Sequence, residues 1–425
     1  MLRIIKSEDP FVQELQQLGK IEGEEVLPLV EEIIDNIKAR GNSALIEYTK
    51  KFDGASFAEE DLKIDQAEIE EAYAKVTDGF LESLRAAIDK IYAFHQNQLQ
   101  KSWWTMDGDG SLVGQMYLPL SRVGLYVPGG TAAYPSSVLM TAIPGLVAGV
   151  SELVMVSPPD KEGKINPYTL VAAAEVGISE IYKIGGAQAI AALSYGTQTI
   201  EKTDKIVGPG NIYVTMAKKV CYGDVGIDML AGPSEILIVA DDTANPVYLA
   251  ADLLSQAEHD VLARAILVTP NEALAVETAA QIEKQLELLP RREIALKSLK
   301  ERGAIIITSD LEEGIAIANF FAPEHLELAL AEPISWLGKI KNAGAVFLGH
   351  YTPESLGDYY AGPSHVLPTG GTARFSSPLN VDMYLKKTSI ISYTKEGLLK
   401  ASRAVEELAR IEGLHAHGLS IKVRK

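Results

Sequence analysis

The sequence predicts an α/β protein with two parallel-sheet blocks, and three observations carry that prediction. First, from residue 122 onward short β-branched runs recur, each closed by Pro or Gly: RVGLYVPGG, ELVMVSPP, EIYKIGG and DKIVGPG. Second, the segments between most of them read as helices, the alternation of βα units around a parallel sheet. Third, the alternation restarts after AGPSE (231–235). EILIVADD, RAILVTPN, AIIITSD and GAVFLG are then the strands, with EALAVETAAQIEKQLELL and LEEGIAIANFF as helices between them.

The flanking segments are helical. EEVLPLVEEIIDNIKARG places Val26, Leu29, Val30, Ile33, Ile34 and Ile37 on one stripe, with Gly41 as a stop. LESLRAAIDKIYAFHQNQL is a second amphipathic helix, and this first hundred residues is expected to pack with the second block. NPVYLAADLL is apolar at helical spacing, with Asn245 as N-cap and Pro246 as first helical residue. It runs into LLSQAEHD, where Gln256 and His259 stand three apart and project from one helical face. After NVDMYLKK the tail, KEGLLKASRAVEELARIEGLHAHGLSIKV, reads as a helix with a short strand-like end. It has little core of its own and is expected to dock on another surface, such as a partner subunit.

Composition narrows the function. The chain has 425 residues, 47% of them hydrophobic, enough for two or more domains with separate cores. A formal charge of −18 repels phosphates and argues against a nucleic-acid or anionic-membrane partner. The start, MLRIIKSEDPFVQEL, lacks the basic-then-apolar pattern of a signal peptide. The longest apolar stretch, SVLMTAIPGLVAGV, is broken by Pro144 and Gly145 and is too short to span a bilayer. A single cysteine, Cys221, excludes an intrachain disulfide and a thiolate metal cluster. These features read as a soluble, cytoplasmic protein.

Of seven histidines, six, all but His95, fall in polar stretches of the last 170 residues. SQAEHD offers Gln256 and His259, FAPEHLELA offers Glu324 and His325, and HYTPESLGDYYAGPSHVLPTGG offers Glu354, Asp358 and His365. EGLHAHG offers Glu412, His415 and His417. Imidazole, carboxylate and amide oxygen without sulfur suit a borderline or hard divalent ion, zinc, manganese or cobalt, and no HExxH is present. Taken alone, Gln256 and His259 read as a hydrogen-bonded surface pair, and Glu324–His325 as a helix cap beside a partly exposed imidazole. Pro323 starts a new segment there, which can lie at the rim of a cleft, and adjacent carboxylate and imidazole can act as paired proton carriers. His95 reads as structural, His350 is left open, and Cys221, near Lys218 and Lys219 but with no His beside it in sequence, is given no catalytic role. The dinucleotide fingerprint GxGxxG is missing. In its place, YVPGG (126–130), GGAQA (185–189) and GPGN (208–211) each end a predicted strand, and three such turns at one sheet edge form a crevice.

YVPGGTAAYPSSVLM, GGAQAIAAL, DKIVGPGN, AGPSE, LLSQAEHD, APEHLE, GDYYAGPSHVLPT and EGLHAH together resemble, in order, the signature blocks of the histidinol dehydrogenase family. The resemblance covers nearly the whole chain. It implies two Rossmann-like, aldehyde-dehydrogenase-like α/β domains and NAD-dependent oxidation of L-histidinol to L-histidine through histidinal. The family's metal ligands match Gln256, His259, Asp358 and His417, with one zinc per subunit expected; His415, two residues before His417, is the other candidate in that string. Its catalytic pair matches Glu324 and His325. Its NAD contacts match Tyr126, Gln188 and Asn211, one in each glycine-marked turn. Ser234, His365 and Glu412 match substrate-contacting positions, where the metal ligands and His325 also meet substrate. The tail of this family crosses to the other subunit of a homodimer. The chain then divides into an N-terminal arm (1–22), a larger discontinuous unit (23–122 and 234–379), a smaller NAD-binding unit (123–233) and a docking tail (380–425). Two rivals use the same residues: a metal-dependent hydrolase, which needs no nucleotide, and a non-catalytic binding paralogue.

Overall fold

The computed structural model describes residues 2–19, 23–129 and 133–425. Two parallel sheets organise it. The larger has six strands in the order Arg3–Lys6, Ala304–Ile307, Arg264–Thr269, Glu235–Ala240, His325–Ala329, Ala345–Leu348, all paired parallel. The smaller has five, in the order Glu180–Lys183, Glu152–Ser157, Arg122–Tyr126, Lys205–Val207, Gly226–Ile227, again all parallel. Helices cover both faces, so the central strands EILIVA and RAILVT are buried at every position, as unbroken apolar runs in parallel sheets should be.

In each sheet the first strand of the block is flanked by the second on one side and the fourth on the other. That is the doubly wound order, with a switch point between first and fourth strands. All eight strands read from the sequence are present. Strands Arg3–Lys6, His325–Ala329 and Gly226–Ile227 were not foreseen. Nor was a three-stranded antiparallel sheet, Leu385–Ser392, Leu112–Pro119 and Trp103–Met106, in which the first two strands pair residues more than 260 positions apart. No described helix is long and apolar enough to cross a membrane.

The N-terminal segments pack differently from expectation. Within the expected arm, Arg3–Lys6 is the edge strand of the larger sheet, and helix Pro10–Leu18 sets Phe11, Val12 and Leu15 into that sheet's core. The helices between residues 27 and 96 belong with the smaller sheet. Val30, Ile33, Ile34 and Ile37 share a core with Ile190, Leu193 and Val214, and Leu84, Ala87 and Ile91 share one with Val138, Leu139 and Leu170. An apolar stripe records that a helix is covered, not which of two similar apolar surfaces covers it. The tail also departs from the strand-like end read for it: His415–Lys422 is a helix, packed on Lys395–Ile411 with Gly418 against Ala409. That local packing outweighs the β-branched Ile421 and Val423.

Asp53, just past helix Asn42–Phe52, has a buried Oδ2 with no hydrogen-bond partner, and burial raises its carboxyl from 3.8 to about 6. The folded state therefore prefers the protonated acid. Its contribution to stability is full below pH 3.8 and is lost as pH rises through about 6. Asp53→Asn is expected to raise the melting temperature at pH 8 and to give no gain at pH 4. Thermal melts at the two pH values check this, and a gain confined to pH 4 would contradict it.

Candidate active site

Strand His325–Ala329 lies between Glu235–Ala240 and Ala345–Leu348, so residues opening it stand at the middle of the larger sheet. Ala322, at φ +50°, is the only non-glycine with positive φ among the described residues, and with Pro323 it turns the chain out of helix Leu311–Phe321 into this strand. Glu324 and His325 do begin a new segment, but both are buried rather than on a rim. The neighbouring strand grips them. The Glu235 N–H donates to Glu324 Oε2 at 2.9 Å, and the Glu324 N–H donates to Glu235 Oε1 at 3.2 Å. A buried ion pair with Arg264 holds the Glu235 carboxylate in turn.

His325 Nδ1 lies 3.0 Å from the Glu235 carbonyl oxygen. A carbonyl only accepts, so Nδ1 carries the hydrogen and Nε2 keeps its lone pair. Nε2 sits 3.8 Å from Asp358 Oδ1 and 4.0 Å from Glu354 Oε1, buried and without a hydrogen-bond partner among the described residues. Burial lowers the His325 pKa to about 4, so the imidazole is neutral at pH 7 and Nε2 keeps a lone pair that can accept a proton. Burial, with the Glu354 and Asp358 charges, pushes the Glu324 carboxyl well above the usual range.

Helix Pro246–Ala257 starts as read: Asn245 Oδ1 accepts from Val247 N–H at 2.9 Å and Pro246 is its first residue. Gln256 is in its last turn, fully buried. The helix stops at Ala257, so His259 is not on the same helical face. It follows in a turn closed by its N–H to the Gln256 carbonyl at 3.2 Å. Glu354 and Asp358, four apart on helix Glu354–Tyr359, share a face. Ligand atoms of His259, Glu354 and Asp358 all lie within 4.8 Å of one another. One end of the Gln256 amide lies 2.9 Å from Oε1 and 3.1 Å from Oε2 of Glu354; without a cation its nitrogen turns there to donate, and a bound cation would need its oxygen in that place instead. Imidazole, carboxylate and amide oxygen around a bare buried nitrogen fit a divalent cation such as zinc.

His365 approaches from the next loop, its Nδ1 3.1 Å from the Asp358 carbonyl oxygen and its Nε2 3.5 Å from Ser137 Oγ; burial lowers its pKa. Ser234 precedes strand Glu235–Ala240, its carbonyl accepting from Arg264 N–H at 3.0 Å. Glu412 and His417 are exposed on the tail and His417 stands outside the carboxylate–imidazole cluster of its own chain, as does His415.

Tyr126 ends one strand of the smaller sheet, and Gln188 and Asn211 follow the carboxyl ends of two others. The Tyr126 hydroxyl accepts from Gly186 N–H at 3.1 Å, and burial raises its pKa to about 12. Gln188 is buried with Nε2 unpartnered among the described residues, and Asn211 Oδ1 caps helix Ile212–Cys221 by accepting from the Tyr213 and Val214 N–H groups. Gly208, at φ +112°, passes so close to the Tyr126 carbonyl that a Cβ would lie 2.1 Å from it, so glycine is required in that turn. Gly130 of the YVPGG turn lies outside the described residues. Cys221 is buried and burial raises its pKa, so it is no nucleophile. His95 is buried with Nδ1 2.8 Å from Gln98 Oε1, and His350 Nε2 lies 3.0 Å from Thr243 Oγ1.

Three residues of the cluster carried no role in the sequence reading: Glu354, Glu235 and Ser137. Glu354 was visible in its polar stretch. For Glu235 the available signal was an acid opening an otherwise apolar strand, a charge that burial tolerates only when paired. Ser137 offered none.

The architecture is that of the aldehyde dehydrogenases. An acetylating aldehyde dehydrogenase from Geobacillus thermoglucosidasius shares the fold at a TM-score of 0.50, with 12% identity over 90% of this chain and 96% of that one. Within that fold the chain belongs to the histidinol dehydrogenase family, whose profile matches residues 17–425, and it is an oxidoreductase. It is 53% identical to the histidinol dehydrogenase of Carboxydothermus hydrogenoformans, over 100% of this chain and 99% of that protein. To that of Caldanaerobacter subterraneus it is 56% identical, covering 96% and 95%. The crystal structure of histidinol dehydrogenase from Elizabethkingia anophelis matches at a TM-score of 0.95 and 41% identity, covering 100% of this chain and 98% of that one.

Proposed function

We propose that the protein oxidises L-histidinol to L-histidine through L-histidinal, in two NAD-linked steps that close histidine biosynthesis in the cytoplasm. The observation that carries this reading is His325 Nε2, buried and bare beside Asp358 and Glu354, with Glu324 3.7 Å from Nδ1 of the same ring. Gln256, His259, Asp358 and the partner's His417 would hold a zinc ion (or manganese or cobalt), which would supply a Lewis-acid anchor for the substrate. Anchoring of that kind can contribute about 7–11 kcal/mol at best toward the barrier. Tyr126, Gln188 and Asn211, at the carboxyl edge of the smaller sheet, would hold NAD, which would supply the hydride acceptor.

In the first oxidation His325 Nε2 takes the hydroxyl proton as the carbinol hydride departs. For the second, Glu324 takes a proton from the water that adds to the aldehyde, and the hydrated carbon gives up the second hydride. Asp358 and Glu354 face His325 Nε2 and stabilise the imidazolium that forms. Ser234, His365 and the partner's Glu412 hold the substrate, together with the metal-binding side chains. A buried Cys221 supports hydration of the aldehyde over a thiol adduct.

A homodimer supports the placement of the tail. Leu408, Ile411, Leu419 and Val423 are exposed there, as are Trp103, Trp104 and Met106 on the antiparallel sheet, and apolar surface of this extent is normally covered by a partner. Net charge and the absence of a membrane-crossing helix among the described residues favour a small-molecule partner over nucleic acid or membrane. The test is a metal-replete assay with histidinol and NAD. Two NADH per histidine are expected, and a stable one-to-one yield, or turnover without NAD, rules the scheme out.

A further inference from the structure

Glu327 stands two residues beyond His325 in the same strand, on the same face of the sheet, and is 4% exposed. A carboxyl in the middle of an otherwise apolar parallel strand is costly unless its partners are good. Glu327 has two, from two different elements. Its Oε1 accepts the backbone N–H of Glu354 at 2.8 Å. That bond caps helix Glu354–Tyr359, which starts after Pro353 and has no side-chain cap of its own. Its carboxyl also hydrogen-bonds the side chain of Asp252, which lies four residues, one turn, before Gln256 in helix Pro246–Ala257.

Three elements that bring the candidate active site together therefore meet at one side chain. The strand carries His325, one helix carries Glu354 and Asp358, and the other carries Gln256. We propose that Glu327 is a positioning residue: bonded to the Glu354 N–H and to Asp252, it holds the Asp358 and Gln256 helices at the separation a bound divalent cation requires. The inference rests on the metal-site reading above. A carboxyl–carboxyl hydrogen bond needs a shared proton, and burial raises both groups, Asp252 to about 6. An amide in place of either acid supplies that hydrogen permanently, which separates the bond from the charge.

The experiment is zinc affinity of the metal-free full-length protein, measured in competition with a chromogenic chelator, alongside melting temperature. Glu327→Leu removes both bonds and is expected to weaken zinc on the order of 10–100-fold, the usual effect of losing a residue that orients metal ligands. Glu327→Gln still accepts the Glu354 N–H and donates to Asp252, so it should stay within about threefold of the parent. Excess zinc should restore turnover of the Leu variant, which a general packing defect would not allow. Unchanged affinity in Glu327→Leu, or an equal loss in Glu327→Gln, overturns the proposal. If the Leu variant does not fold, Asp252→Ala against Asp252→Asn decides in the same way, with a loss expected for Ala alone. Wild-type protein that takes up no zinc defeats the metal-site reading and this inference with it, whereas zinc-binding parent and Leu variant of equal affinity defeat only the role of Glu327.

Discussion

Replacing Glu324 by Gln is expected to stop histidine formation while leaving the first oxidation running. The substitution keeps the shape of the side chain. Its amide oxygen can still accept from the Glu235 N–H, and the backbone N–H of residue 324 still donates to the Glu235 carboxylate, so the grip between the two strands survives. What disappears is the capacity to take a proton from water. General-base catalysis contributes on the order of 10²–10⁴-fold, and histidine production should fall by that factor. His325 is untouched, with Nδ1–H on the Glu235 carbonyl and Nε2 free, so one hydride transfer per site remains. A single-turnover experiment should show about one NADH per active site and trapped aldehyde in place of histidine. The parent's environment fits the role: burial and two flanking carboxylates raise Glu324 well above an ordinary acid, which makes its carboxylate a stronger base than an exposed one. Undiminished histidine formation by the Gln variant would remove Glu324 from the mechanism. Loss of the first NADH as well would mean that both proton transfers pass through it.

Local chemistry was the most legible part of this chain. The eight β-branched runs are strands, because a parallel strand buried on both faces has to be an unbroken apolar run, and turn glycines mark its end. The Asn245–Pro246 helix start is likewise written in two residues. Non-local pairing was not legible. Leu112–Pro119 and Leu385–Ser392 form one ladder, but nothing in either segment names the other. Helix Leu27–Arg40 displays its stripe without showing which sheet it covers.

The site divides the same way. Gln256, His259, Glu324, His325 and Asp358 stood out as polar groups in short strings, and resemblance to the family joined them. Glu235 and Glu327 act on that site from inside strands EILIVA and HLELA, where a single acid looks like the polar punctuation of an edge. Their work is to bond backbone N–H groups of neighbouring segments, Glu324 and Glu354, and that depends on register, which composition does not carry. The buried Glu324 is a related case. Pro323 announces a break, yet whether the residues after a break face solvent or the sheet centre depends on the strand they enter.

Mixed dimers of a His417→Ala chain with a Glu324→Gln chain are expected to regain the histidine formation that both parent dimers lack. Each parent is defective at both of its sites, one for want of a metal ligand and the other for want of the base. If the tail of one chain completes the site on the body of the other, a mixed dimer assembles one site from an intact Glu324 body and an intact His417 tail. Its second site carries both defects. One working site in two gives about half of wild-type turnover per mixed dimer. The geometry behind this is the incomplete cluster within a single chain. His259 is exposed and opens the set of Glu354, Asp358 and Gln256 to solvent, while His417 lies outside it, on a helix whose Leu419 and Val423 are also uncovered. The measurement is histidine production by mixed dimers purified through two different affinity tags, with both homodimers as controls. Activity at the level of the homodimers would place the fourth ligand within one chain. His415, two residues earlier in the same helix, would then have no better claim, because it shares the same exposed tail.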